Sequence, residues 1–476
     1  MIRIRSVPQH AQFEELTLNI PLEIKASLST SGLKISFRDK VYETSFPDRV
    51  WSEYPFHMKE VLFDNLVFAA TIHLPLVLNG DEIHYNTSPP IFQPHFFQNM
   101  IMDLPSCADV DVNRTSDLLR RYMNLKIQFK DNTVKFPLYD GEASPDSSVV
   151  SFSFGKDSLL TYAVADELGL NPRIVYIVEP SLKYEEKHKN ALARRFFQEF
   201  GVKLNKVAHT TGLLRDCTHL NIEKTELGWG LQSTEYALLL LPFAHKFKAR
   251  YILFGNEYSC GAYYFDKEGY VCYPAYDQAH VWTCEIDVMT RLMTNNKVRT
   301  MSLIEPLNDI AVMAILNRRY PEVAKYEMSC FTETEAGRDH RWCQSCPVCS
   351  KMYLLLTAVG VDPKSVGFSK DMLTKESKAF FSLFGGRKTS RYALTKLGRD
   401  EQLFAFYLAY MRGHDSDLVR EFSKAFLKEA KAREDELYKA FFGLHESITM
   451  PPKILNKVIS IYREELKNFF FDEGHG

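Results

Sequence analysis

Between residues 149 and 255 the chain repeats one pattern, a short apolar run followed by a longer stretch with helical spacing. Residues 149–152, 173–178, 203–207 and 251–255 read as strands. Residues 159–169, 185–200 and 233–247 read as helices, the first two stopped at Gly169 and Gly201. Strands separated by helices need crossover connections, so the alternation predicts an α/β fold with a parallel sheet and helices on both faces. Ligands of such sheets sit beyond the carboxyl ends of the strands. Three loops fall there: residues 153–158, the segment after Val178, and the segment after Gly255.

The first of these loops is the richest in chemistry. Ser153, Phe154, Gly155, Lys156, Asp157 and Ser158 join the first strand to a helix. The backbone amides of such a junction converge where the helix dipole favours an anion. Gly155 lets the backbone approach, Lys156 can pair with phosphate, Asp157 can hold Mg2+, and Ser158 can donate from the first turn. The loop is not a Walker A motif, because Val150 stands where that motif has its first glycine. A turn with polar caps would use the same residue types.

Length, composition and charge set the frame. The 476 residues predict two or three domains. We place the boundaries at 1–145, 146–365 and 366–476. Hydrophobic residues make up 45% and charged residues 25%, a globular balance that excludes a low-complexity chain. The net charge of −2 supplies no global field for nucleic acid. Residues 1–8 lack the apolar core of a signal peptide, and the apolar run 236–243 is too short to cross a bilayer. The expectation is a cytoplasmic protein with no membrane partner.

Nine cysteines without a secretion signal suggest reduced thiols or metal ligands. Cys330, Cys343, Cys346 and Cys349 fall within twenty residues, the last three as C-x-x-C-x-x-C. Four thiolates at this spacing suit a tetrahedral structural Zn2+ with no open position. An iron–sulfur cluster uses similar spacing but is usually followed by a further Cys-Pro pair, and no cysteine follows Cys349.

The flanks carry less. Residues 1–145 read as a β-rich α+β domain, with strands at 16–20 and 33–37, helices at 61–73 and 116–123, and a hairpin across 126–136. Residues 141–148 read as a linker. Residues 366–476 read as helical, with apolar spacing over 403–411 and 415–442. Arg387, Lys388, Arg391, Lys396 and Arg399 form a basic cluster that is either a solvated face or a site for phosphate, an acidic partner or RNA.

The loop resembles the PP-loop of the ATP pyrophosphatases, usually S-G-G-x-D-S, with Phe154 in place of the first glycine. Together with the cysteines it resembles the 7-cyano-7-deazaguanine synthases, the QueC family, over about residues 147–360. Tyr184 to His188 lie where that family has Y-G-Q-R-H. Gly255, Asn256 and Glu257 resemble its glycine-containing loop, and Tyr273 to Asp277 its Y-P-D-C-R stretch. The resemblance implies an ATP-dependent, AMP-forming carbon–nitrogen ligase using Mg2+ and carrying Zn2+. Its substrate would be 7-carboxy-7-deazaguanine, activated as an acyl-adenylate and taken to an amide or nitrile. Lys156, Asp157 and His188 would be catalytic. Residues 153–158 and Val178 would bind ATP. Glu235, Asn256, Glu257, Tyr276 and Asp277 would meet the substrate.

The chain departs from the family at Ser233, Thr234 and Glu235, where the family has G-R-N. It departs again at Gln278, where an arginine is expected, and in a longer insert at 258–271. Enlarged QueC-like proteins occur in antiphage defence systems of the Qat and CBASS types. The resemblance therefore extends to a partner protein's amino terminus as acceptor, docked by the flanking domains. Two other classes stay open: a PP-loop tRNA-modifying enzyme (thiolase or lysidine-type), and a nucleotide-binding scaffold silenced by Phe154.

Overall fold

The structure is a computed structural model and describes residues 21–181, 184–332 and 334–471. The strand expected at 16–20 and the segment 1–8 lie outside the described residues. Twelve strands are present among those described: β1 (Leu22–Leu28), β2 (Gly32–Phe37), β3 (Lys40–Ser45), β4 (Glu82–Tyr85), β5 (Lys126–Phe129), β6 (Ser144–Ser151), β7 (Pro172–Val178), β8 (Asn205–His209), β9 (Ala249–Phe254), β10 (Tyr264–Phe265), β11 (Val271–Cys272) and β12 (Arg299–Ser302). Ten form one sheet in the order β12-β9-β6-β7-β8-β3-β2-β1-β4-β5, and β10 pairs with β11 apart from it.

Five neighbours, β12, β9, β6, β7 and β8, are all parallel. Numbered by their place in the chain they run 5-4-1-2-3, so the direction of winding reverses between β6 and β9. That reversal makes a crevice at the carboxyl ends of the two strands, where open α/β sheets bind ligands. The helices Lys156–Glu167, Glu185–Phe200 and Gln232–Lys246 connect the strands much as their spacing predicts. Gly201 closes the second at φ +69°, a left-handed cap suited to glycine.

Alternation along the strands feeds two cores. Val150, Ile174 and Leu253 point into one cluster, which includes the helices Lys156–Glu167, Asp309–Arg319, Pro347–Ala358 and Lys396–Met411. Val149, Val175 and Ile252 point into the other, with Gln232–Lys246, His280–Met293 and the helices of the first 110 residues. The period of two along a strand, applied to a sheet covered on both sides, produces this division.

The sheet crosses the boundary drawn at residue 145. β3 pairs antiparallel with β8 through Thr44–His209 and Ser45–Ala208. Phe46 stacks on Trp51 at 4.8 Å and reaches Phe243 of the central layer at 6.1 Å. The C-terminal helices belong equally to the first core. Residues 21–145 thus extend the sheet beyond β8 and help cover one of its faces, and the helices of 366–466 pack into the core on the other.

Several local expectations are corrected. Residues 126–136 form no hairpin: β5 runs parallel to β4, and Lys135 pairs with Asp64 at 2.8 Å instead of entering a strand. The stretch 141–148 is not a free linker, because β6 begins at Ser144, whose N–H donates to Lys248 O at 2.7 Å. Pro145 is tolerated by a register irregularity between Ser144 and Ser148. The third strand starts two residues late, since β7 and β3 set its limits. Residues 415–442 split into Asp417–Ala425, Leu427–Ala432 and Glu434–Phe441. Among the described residues the longest apolar helical stretch is Phe56–Val77, of which the most apolar window is 83% buried inside the protein.

Candidate active site and four-cysteine metal centre

The loop after β6 lies in the crevice between β6 and β9. Phe154 takes φ +60°, a left-handed conformation that costs a non-glycine residue about 1–2 kcal/mol. Its ring is fully buried and meets Phe152 at 4.7 Å and Phe196 at 5.8 Å. The side chain therefore leaves the loop for the core, and the backbone keeps the shape a glycine would give it. Gly155 has little room for a larger residue: a Cβ there would lie 3.3 Å from Ser153 Oγ and 3.6 Å from Ser329 Oγ. The loop amides are held by hydroxyls. Ser153 N–H donates to Ser158 Oγ (3.1 Å), Gly155 N–H to Ser153 Oγ (3.3 Å), and Lys156 N–H to Ser329 Oγ (3.4 Å).

Lys156 does not reach out to the loop mouth. Its ammonium group is buried among three carboxylates: Asp157, Asp309 and, at 3.2 Å, Glu257. Burial alone would lower the Lys156 pKa, but the three acids hold it well above its usual value. Burial and the neighbouring Asp157 and Asp309 push Glu257 well above the carboxylate range. Burial also works against ionised Asp309, yet Lys156 and Lys351 hold it well below that range. One oxygen from each of Asp157, Glu257 and Asp309 lies within 4.8 Å of the others, a donor set suited to a hard divalent cation.

Each acid is delivered by a different element. Asp157 opens the helix after β6, and Glu257 follows β9. Asp309 opens the helix Asp309–Arg319 after β12. Lys351 also pairs with Asp309, and Glu401 accepts from Ile310 N–H at 3.1 Å beneath it. Asp309, Lys351 and Glu401 were not foreseen. β12 is four residues long and carries too little pattern to announce the helix behind it.

The other expected site residues are placed differently. His188 Nε2 bonds to Gly337 O at 2.7 Å, so it braces the cysteine-bearing segment, and no described contact joins it to Lys156 or Asp157. Val178 ends β7 and pairs with Ala208. Glu235 is fully buried, paired with Arg215 and 3.3 Å from His209 Nε2. Arg215 also binds Glu179, so Glu235 is already committed to a buried network. Asn256 ties β9 to Thr283 (3.0 Å), and its carbonyl accepts from Ser302 Oγ (2.7 Å). Asp277 caps the helix Gln232–Lys246 by accepting from Ser233 N–H at 2.9 Å, and burial raises its pKa to about 7. Tyr276 packs on Trp282 at 5.6 Å. Of the five residues expected at the substrate, only Glu257 reaches the loop chemistry; the other four are packed into the walls.

An open groove of about 690 Å³ begins immediately after Glu257. The insert supplies Tyr258, Tyr263, Tyr264 and Phe265, and His280, Lys396 and Asp400 add polar groups to the lining. Two of the five residues of the basic cluster are engaged within the protein. Arg391 binds Ser106 Oγ (2.9 Å) and Glu226 (3.1 Å), and Arg399 binds Glu429 (2.9 Å).

Cys330, Cys343, Cys346 and Cys349 converge with their sulfurs within 4.8 Å of one another. Cys343 Sγ lies 3.7 Å from Cys349 Sγ, far beyond a disulfide. Four sulfurs about 2.3 Å from one Zn2+ stand about 3.8 Å apart in a tetrahedron. Backbone N–H groups aim at the sulfurs: Thr332 and Cys343 at Cys330, Gln344 at Cys349, and Cys349 at Cys346, all at 3.3–3.4 Å. Such donors favour thiolates, and the cluster can hold a metal such as zinc. No protein-family model matches the chain, and no curated protein matches it.

Proposed function

We propose that the protein is an ATP-dependent, AMP-forming enzyme of the PP-loop type that activates a carboxylate for carbon–nitrogen bond formation. The observation that carries this reading is the burial of Lys156 among Asp157, Glu257 and Asp309 beside the anion-facing loop, at the crevice between β6 and β9. A glycine-like loop conformation at Phe154 supports it, since the ring occupies the core and stays out of the loop.

A carboxylate is a poor electrophile and its oxygen a poor leaving group. Transfer of AMP from ATP to that oxygen corrects both and releases pyrophosphate. The loop amides and Ser158, on exchanging their hydroxyl and carbonyl partners for phosphate oxygens, would hold the departing phosphates. Mg2+ bound by Asp157, Glu257 and Asp309 would neutralise charge developing on the phosphate oxygens. Lys156 keeps those acids together before the cation enters. The aromatic groove that begins at Tyr258 has the volume of a small-ligand pocket, and we assign the carboxylate substrate to it.

Within this class the resemblance to the QueC family favours 7-carboxy-7-deazaguanine as the carboxylate. It also favours ammonia, or the amino terminus of a partner protein, as nucleophile. Two of the five basic residues that had spoken for RNA, Arg391 and Arg399, are engaged in ion pairs within the protein, which weakens the support for the tRNA-modifying reading.

The test is mass spectrometry after incubation with ATP, Mg2+ and 7-carboxy-7-deazaguanine, with ammonium and separately with candidate partner proteins. The expected result is AMP and pyrophosphate together with an amide, a nitrile or a mass-shifted partner. ATP that survives every condition would overturn the reading.

A further inference from the structure

The segment between Tyr326 and Cys330 runs from the aromatic core across the phosphate-facing loop to the cysteine centre. Tyr326 packs on Phe196 at 5.1 Å, and Phe196 also packs on Phe154. Met328 N–H donates to Phe154 O at 2.7 Å, gripping the residue that carries the left-handed φ. Ser329 Oγ accepts from Lys156 N–H (3.4 Å), the first amide of the helix behind the loop. The Ser329 hydroxyl donates to Glu327 at 3.3 Å, and Glu327 is wholly buried with its second oxygen unpartnered. The next residue, Cys330, is a member of the sulfur cluster and receives N–H groups from Thr332 and Cys343.

We propose that metal at the four cysteines and anion at the loop are thermodynamically coupled through residues 327–330, with Ser329 as the positioning residue. The proposal rests on reading the loop as a phosphate site. One end of the strap is anchored in the aromatic core. The other end is held more firmly when the sulfurs share a metal, because metal binding supplies much of the ordering energy of small cysteine segments. The strained backbone at Phe154 persists only where its surroundings hold it. The Met328 and Ser329 bonds are the part of those surroundings that the strap supplies. Coupling of this kind is reciprocal: metal tightens the anion and anion tightens the metal by the same factor.

Two measurements on the full chain test it. Hydrogen exchange compares zinc-loaded protein with protein treated with a chelator, without any anion. Amides of residues 153–157 and 326–332 are expected to lose protection together, while β7 and β8 keep theirs. Loosening confined to residues 330–349 would overturn the coupling. In the second measurement the Ser329 variants separate the strap from simple linkage of both ligands to folding. Zinc retention is titrated against a chelator with and without magnesium pyrophosphate. Pyrophosphate is expected to shift the midpoint about fivefold or more in the wild type, less than twofold in Ser329→Ala, and as in the wild type in Ser329→Thr. An equal shift in Ser329→Ala would overturn the role of Ser329. Pyrophosphate that binds without any shift would overturn the coupling alone. Pyrophosphate that does not bind at all would overturn the phosphate reading of the loop as well.

Discussion

Lys156 Nζ lies 3.2 Å from a Glu257 carboxylate oxygen although 101 residues separate them in the chain. The pair joins the loop after β6 to the loop after β9 across the crevice where the winding of the sheet reverses. Asp309, arriving behind β12, closes the group from a third side.

Removal of that lysine charge is expected to cost both stability and activity. Lys156→Met leaves ionised, buried Asp309 with the partly exposed Lys351 as its remaining cationic partner, and breaking a buried ion pair costs about 3–5 kcal/mol. Urea denaturation should register this loss, and AMP formation by the folded fraction should fall at least about 100-fold. Asp157→Asn is expected to keep the stability and lose the activity, which separates the two roles.

Phe154 carries a cost and a gain that can be separated. Phe154→Ala should destabilise by about 3–5 kcal/mol through loss of the buried ring. Phe154→Gly should be more stable than Phe154→Ala by about 1 kcal/mol, reversing the usual order, because φ +60° suits glycine. Both are read from denaturant midpoints. Pyrophosphate affinity in the folded fraction should change less than the stability does.

The sulfur cluster should bind one Zn2+ per chain, counted by elemental analysis. Cys349→Ser or exhaustive chelation is expected to remove it and to lower Tm by about 5 °C or more, as loss of a structural metal does in small cysteine segments. Cys107→Ser lies outside the cluster and should leave the stoichiometry at one.

Asp277 should impose a pH slope on stability. Burial raises its folded pKa to about 7, whereas the unfolded value stays near 3.8. Between those values the native state binds the extra proton, so the contribution is complete below about pH 4 and is lost as pH rises through 7. A tenfold difference in proton affinity between the folded and unfolded chain is worth about 1.4 kcal/mol, so the swing is of the order of a few kcal/mol. Asp277→Asn keeps an acceptor for Ser233 N–H and should flatten the stability profile between about pH 4 and pH 7, measured by urea denaturation at each pH.

Deletion of residues 1–145 should leave a chain that does not fold. It strips β3 from the edge of β8 and removes β6's first two residues, Ser144 and Pro145. It also exposes the face that Phe46 and Trp51 cover on Phe243. Circular dichroism and solubility of residues 146–476 check this, and a soluble, cooperatively melting fragment would show that the layers are separable.

How much was legible from sequence depended on whether the signal was local. The helices Lys156–Glu167, Glu185–Phe200 and Gln232–Lys246 were readable because each is a long run of helix-compatible residues, the first two stopped by glycine, and those are properties of neighbouring residues. The loop residues and the four cysteines were readable for the same reason, since their spacing is itself the message. Which partners those residues meet was not. Lys156 reads as a phosphate contact, yet only the folded sheet brings Glu257 and Asp309 to its ammonium group. Glu235, Asn256, Tyr276 and Asp277 read as pocket residues, yet packing turns each into a wall contact. β6 takes up a stretch that reads as a linker because Lys248 and Ala249 offer it a partner. Neighbouring residues alone specify the periodic elements and the chemistry of two short motifs. Long-range contacts set the sheet order, the three-acid surround of Lys156 and the strap from cysteines to loop. Strand pairing and burial join residues far apart in the chain, and their energies depend on what lies opposite.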